Sequence, residues 1–183
     1  MNSYLANHWL ARLAGCLCLS LVLFSCNSPK DQEITLTPEQ SWSAGENYQN
    51  FILQGQALTE QDAEAILLFH TDGKKGYEVL FRNGKMDGTR KTGSLSAIRN
   101  LYRSLAEDNQ WFDFEVTVRG KNISIQINGT DVVCYTEPAQ PYRTATYAQR
   151  LLGKGDIMLQ GKQGTVKLRN LVITPLDANA RNE

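Results

Sequence analysis

Glu78 and Arg82 stand four residues apart in the stretch GYEVLFRNGKMDGTRKTGSL, residues 76–95. Its first half alternates with period two, placing Tyr77, Val79 and Phe81 on one side and Glu78, Leu80 and Arg82 on the other. A carboxylate projecting with a cation from one strand face is equipment for proton transfer and for stabilising a developing negative charge. That is a polar working face, with His70 just upstream of it and Lys91 in the cationic loop beside it. Asn83-Gly84, Asp87-Gly88 and Thr92-Gly93 break the second half into turns that carry Lys85, Arg90 and Lys91. The same residues also read as an ordinary solvated sheet face, with Glu78 and Arg82 paired across Leu80 and His70 hydrogen-bonded in its strand.

Other residues offer less chemistry. Asp72, Asp87 and Asp156 sit near glycines, but without EF-hand spacing they read as turn residues. No cofactor is predicted, with a divalent metal left open. Asn122-Ile123-Ser124 and Asn128-Gly129-Thr130 match the glycosylation sequon and are read as turn sequence.

Strands must position these groups. Phe51–Leu58 and Ala63–His70 are apolar runs separated by a polar turn, the second apolar on both faces like a strand inside a sandwich. Trp111 to Arg119 alternates, with Phe112, Phe114, Val116 and Val118 on one side. Ile123, Ile125 and Ile127 repeat the pattern before Asn128-Gly129 and the run Val132–Tyr135, which predicts a tight hairpin. Ile157 and Leu159, Val166 and Leu168, then Leu171 and Ile173 continue the series, and the phase shift predicts a bulge at Arg169-Asn170. Leu95, Ile98, Leu101, Tyr102 and Leu105 are spaced as one helical stripe that Ser94 could cap, with an ordered loop as the alternative. The expected architecture is all-β, an antiparallel β-sandwich with one short helix.

The first 25 residues read as an address rather than as fold. Arg12 precedes an apolar run, Leu13–Phe24, too short to span a bilayer but right for a signal peptide. Leu23-Phe24-Ser25-Cys26 resembles a bacterial lipobox, which makes Cys26 the expected lipidated residue; ordinary signal-peptidase cleavage is the alternative. Residues 26–40 are then a tether, 41–177 the domain and 178–183 a tail. The expected location is the cell envelope, lipid-anchored on its periplasmic or cell-surface side, with the membrane as a partner. Cys16 and Cys18 leave with the leader, and Cys134 remains as an expected small buried hydrophobe. With 19 basic and 19 acidic residues, 18 against 19 once Arg12 is removed, the chain lacks the positive charge of a nucleic-acid partner. About 150 residues make one domain with a sizeable core.

The runs FHTDGKKGYEVLFRNG, KTGSL, WFDFEVTVRGKNISIQING and GDIMLQGKQGTVKLRNLVITPL, in that order, resemble the bacterial family named for 3-keto-disaccharide hydrolases. The resemblance covers nearly all of the domain. It implies a concanavalin-A-like jelly roll whose concave sheet binds sugars, and an enzyme that acts on 3-keto-glycosides as a hydrolase or as a lyase and hydratase. A C3 ketone acidifies the C2 hydrogen, so the resemblance casts Glu78 as the base that removes it. His70 becomes the acid that helps the glycosidic oxygen leave, with Lys91 or Arg82 at the oxyanion. Arg82, Asn83, Tyr102 and Trp111 would hold the carbohydrate, the aromatic pair by stacking on a pyranose, though each also reads as sheet packing. A non-catalytic carbohydrate-binding lipoprotein on the same sandwich is the other function class. The chain departs from the family pattern at Leu68-Phe69-His70, at Leu80, where a Gln is usual, and at Ser94-Leu95-Ser96, where an aromatic usually follows the Thr-Gly turn.

Overall fold

Strands form wherever apolar side chains recur at every second residue, because that period puts them all on one face of a pleated ribbon. A computed structural model describes residues 33–177, apart from Glu46, Gly73, Met86 and Asp87. The expected signal peptide, Cys26 and the 178–183 tail lie outside the described residues. The strands are β1 (Ile34–Leu36), β2 (Ser41–Ser43), β3 (Phe51–Thr59), β4 (Glu64–Thr71), β5 (Tyr77–Phe81), β6 (Phe112–Arg119), β7 (Asn122–Ile127), β8 (Thr130–Thr136), β9 (Asp156–Gln163) and β10 (Val166–Pro175). They pair antiparallel into a six-stranded sheet, β1-β10-β3-β6-β7-β8, and a four-stranded sheet, β2-β9-β4-β5.

The core lies between the sheets. Tyr77, Val79 and Phe81 enter it from β5, Leu67 and Phe69 from β4, and Phe51, Phe112, Phe114, Val116 and Ile125 from the facing sheet, each at most 3% exposed. Burial of each large side chain is worth about 1.5–3 kcal/mol, which fixes the register of every strand that carries one. The sandwich begins earlier than the sequence suggests. Ile34–Leu36, inside the expected tether, pairs with β10 because Leu36 is apolar enough to be 2% exposed in the core.

The predicted hairpin is present. Asn128 and Gly129 have φ of +50° and +72°, as a primed two-residue turn requires, and Ile123, Ile125 and Ile127 face the core. Gly129→Val should cost more than about 1 kcal/mol in a thermal or denaturant melt, because a β-branched residue resists that φ although space is open around it. The bulge also falls where expected, with the β10 register shifting between Arg169 and Val172. Cys134 does not follow its expectation. It is exposed, since Val133 and Tyr135 take the inward positions on either side.

No helix forms over residues 95–105. Residues 92–96 instead line the open edge of β5, where Leu80 N–H donates to Ser94 O (3.0 Å), Gly93 N–H to Leu80 O (2.9 Å) and Ser96 N–H to Glu78 O (2.9 Å). An unpaired strand edge has donors and acceptors that a helix could not satisfy, and this segment satisfies them. The chain then reverses tightly, with Ala97 at φ +61° and Leu95 bonded to Arg99 through both N–H and C=O. Ser94 does accept a backbone N–H as a cap would, but from Leu101 at 2.9 Å.

Candidate functional site

The outer face of the four-stranded sheet carries Glu78. Its cross-strand neighbours there are Leu68 and, beyond it, Met158, while Ile66 lies opposite Leu80. Ile66, Leu68, Leu80 and Met158 pack together as a small apolar cluster outside the main core. Ion pairs flank this cluster on two sides. Arg82 pairs with Glu64, its register partner one step along from Ala65 and Phe81. Glu78 Oε2 is 2.5 Å from an Arg150 guanidinium nitrogen, and Glu78 Oε1 makes no hydrogen bond among the described residues. Together with Gly76, Tyr147 and Gln149 they line a pocket of about 130 Å³. Arg150 is 6% exposed, lies with its guanidinium carbon 4.3 Å from the Tyr147 ring centroid, and donates to Ser96 O.

Arg150 arrives on the long connection from β8 to β9, and a buried carboxylate holds that connection down. Glu137, 3% exposed, accepts from Tyr77 Oη (2.5 Å), Lys121 Nζ (2.8 Å) and Leu152 N–H (2.9 Å). Arg143 completes the knot, donating to Tyr77 Oη (3.0 Å), Tyr135 Oη (2.9 Å) and the Arg150 carbonyl (3.0 Å). Burial alone would push the Glu137 carboxyl up. The hydrogen bonds from Lys121, Tyr77 and Leu152 outweigh that and hold it below the ordinary glutamate range.

His70 is not on the Glu78 face. A register irregularity between Phe69 and Thr71, with His70 at φ +49°, turns two consecutive side chains the same way, and both rings meet Phe51 edge-on inside the sandwich. Its Nδ1 accepts from Gly153 N–H at 3.1 Å, so the proton sits on Nε2 and is donated to Gln49 O at 3.0 Å. The ring is 8% exposed and desolvation lowers its pKa, against opposing contributions from Gln49 and Glu137. It is a neutral structural ring, not an acid facing Glu78.

The depressed pKa has a sign. Unfolded His70 takes up a proton near pH 6.5 while the folded ring does not, so stability is complete above about 6.5 and is lost as pH falls through the folded pKa. Melting temperature should decline as pH drops from 7 to 5, and His70→Gln should flatten that decline. His8, the other histidine, belongs to the expected leader. A wild-type melt that is level across this window would contradict the assignment.

The remaining expected residues scatter. Lys91, 6% exposed, donates its ammonium to Gly84 O rather than reaching Glu78. Asn83 is also buried, donating to Thr59 Oγ1 (3.0 Å) and accepting from Ser104 Oγ (2.8 Å) and Thr92 Oγ1 (2.5 Å), so its amide pins loops instead of meeting a ligand. Tyr102 is 60% exposed on the 97–110 loop. Trp111 stands just before β6 of the other sheet, with the Arg169 guanidinium 4.0 Å over its ring. Asp72 closes its turn by accepting from Lys74 and Lys75 N–H (3.0 and 3.1 Å). Among the described residues no group of three or more His, Cys, Asp or Glu could hold a metal ion.

Arg150 and Glu64 are the partners that sequence reasoning missed. Glu64 was findable, since closing β4 and β5 around Thr71–Gly76 puts it opposite Arg82. Arg150 was not, because residues 138–155 carry no periodicity that would place it.

Residues 25–174 match the model of the 3-keto-alpha-glucoside-1,2-lyase-like domain. No curated protein matches the chain. Two crystal structures from Parabacteroides distasonis ATCC 8503, both provisionally classed as glycosyl hydrolases, share its fold. One superposes at a TM-score of 0.69 with 15% identity over 79% of this chain and 81% of that one. The other gives 0.65 with 19% identity over 81% and 89%. The carbohydrate-binding module CBM66 from Bacillus subtilis gives 0.51 with 14% identity over 78% and 82%. At such identities the likeness is one of fold, and the fold is the two-sheet jelly roll.

Proposed function

Because the chain belongs to the 3-keto-alpha-glucoside-1,2-lyase-like domain family, we propose that it acts on 3-keto-glycosides at the outer face of the four-stranded sheet, with Glu78 as base. The observation that carries this reading is a carboxylate that lines a pocket together with Arg150, one oxygen paired with that guanidinium and the other without a hydrogen bond among the described residues. Glu78 Oε1 takes the C2 proton that the C3 ketone acidifies, and the electron pair passes into an enediolate. Arg150, with five N–H donors, offsets the charge that grows on O3. The enediolate then expels the glycosidic oxygen, leaving a C1–C2 double bond conjugated with the ketone, and the proton on Glu78 is the one the departing oxygen receives. This assignment replaces His70 and Lys91 with one carboxylate and Arg150. A lipid-anchored envelope location is a separate proposal that rests on the lipobox-like Leu23-Phe24-Ser25-Cys26, and it is tested by whether Cys26→Ala moves the protein from detergent to aqueous phase.

A carbohydrate-binding module without turnover is the second reading, favoured by the apolar cluster of Ile66, Leu68, Leu80 and Met158, across which the other carboxylate of this face, Glu64, is tied up with Arg82. Incubating the protein with a panel of 3-keto-glycosides of both anomers, with mass detection of aglycone and unsaturated keto sugar, separates the two. Release from none of them would leave the binding reading.

A further inference from the structure

The opposite face of the molecule, on the six-stranded sheet, holds a larger trough of about 420 Å³ lined by Gln54, Gln56, Asp113, Glu115, Gln126 and Asn170. Register makes it from two rungs. In one, Gln54 lies opposite Glu115 and Glu115 opposite Gln126; in the other, Arg169 lies opposite Gln56 and Gln56 opposite Asp113. Strands about 4.8 Å apart give the first rung a span of about 10 Å, with amide and carboxylate alternating along it.

The second rung is held rigid. Gln56 Nε2 donates to Asp113 Oδ1 (2.9 Å), while Gln56 Oε1 accepts from Arg169 Nε (2.8 Å) and Asn170 Nδ2 (3.4 Å). Two consecutive residues reach one acceptor because the β10 bulge, with Asn170 at φ +55°, turns both outward. Leu171 is thereby turned inward, and Gly55 makes room for it: a Cβ there would stand 2.6 Å from Leu171 Cδ2. The first rung is less engaged. Among the described residues Gln54 makes no side-chain hydrogen bond, Glu115 accepts only from Thr117 Oγ1 (3.1 Å), and Gln126 donates Nε2 to Asp131 Oδ1 (2.9 Å) with its Oε1 left to accept.

The chemistry of the lining selects its occupant. Two carboxylates and four amides present acceptors and donors in planar forks, as vicinal hydroxyl groups require. The neighbouring Arg169 is engaged with Gln56 and the Trp111 face, and the lining residues themselves include no cation, so an anionic polymer would meet uncompensated negative charge. We infer that this trough binds a neutral oligosaccharide chain, at a site separate from Glu78 and on the other sheet. The inference does not depend on turnover at Glu78.

Native affinity electrophoresis of the full chain in detergent, through gels holding dextran, laminarin, galactomannan or polygalacturonate, tests it. Retardation by at least one neutral polymer and none by polygalacturonate is expected. Gln54→Lys with Gln126→Lys, on solvent-facing positions, should weaken retardation about tenfold or more, as should the isosteric Glu115→Gln, through lost hydrogen bonds. Lys162→Ala on the other sheet should be retarded as wild type, each variant's mobility being taken relative to its own in a polymer-free gel. No retardation by any neutral polymer, retardation by polygalacturonate alone, or retardation that survives both sets of substitutions would overturn the inference. Because the readout is migration, a protein that releases nothing from 3-keto-glycosides can still pass it, and an active one can fail it.

Discussion

Glu78→Gln should lower turnover of a 3-keto-glycoside by roughly 10²-fold or more with little change in KM, since the amide keeps the shape and loses the proton affinity. The residue is suited to so clean a test. Its Oε2 position, as amide oxygen, can still accept from Arg150, so the buried guanidinium is not stranded, and the side chain is 27% exposed, so the substitution buries little. Arg150→Met offers the complementary measurement, lowering kcat through loss of charge at the enediolate while Glu78 remains a base. Turnover unchanged in Glu78→Gln would sink the assignment, whatever the protein's substrate.

Glu137→Ala should destabilise the fold by about 3–5 kcal/mol, because it strips one partner from a buried charged knot and leaves Tyr77, Lys121 and Leu152 N–H without their acceptor. The midpoint of a urea melt should shift accordingly, and a shift below about 1 kcal/mol would contradict the reading. Since the folded carboxyl titrates below the ordinary range, its contribution is complete above about pH 4.3 and is lost as pH falls through the folded pKa. Wild type should therefore lose stability in that acid range, and the variant should lose less. The damage extends to the pocket, because the same knot delivers Arg150 to Glu78.

What could be read from the chain and what could not divide along one physical line. Period-two alternation is a local property, so β5, β6, the Asn128-Gly129 hairpin and the Arg169-Asn170 bulge are legible in the sequence. The stripe from Leu95 to Leu105 misled because its spacing is helical while its backbone is claimed by the open edge of β5, a demand set by tertiary neighbours. His70 misled for a related reason. Alternation alone puts it outside with Leu68, and only the irregularity at Phe69–Thr71 turns it inward. Glu78 was identified as outward-facing from its own strand, but its partner Arg150 comes from a connection whose path no pattern encodes.

The pairing of β1 with β10 has a consequence for how the molecule is made. β10 lies between β1 and β3, so the first of the described strands finds its one neighbour among them in the last, and β3 lacks one edge until the same strand arrives. β2 likewise waits for β9. Contacts this distant in sequence close late and slowly. The β6-β7-β8 meander can assemble on its own during synthesis, but the sandwich cannot shut until residue 166 and those after it are available. Folding is thus held back from premature closure by the strand order itself, and a truncation before β10 would cost the fold two strand pairings at once, β1 with β10 and β10 with β3, leaving β1 with no neighbour among the described strands and β3 with an open edge.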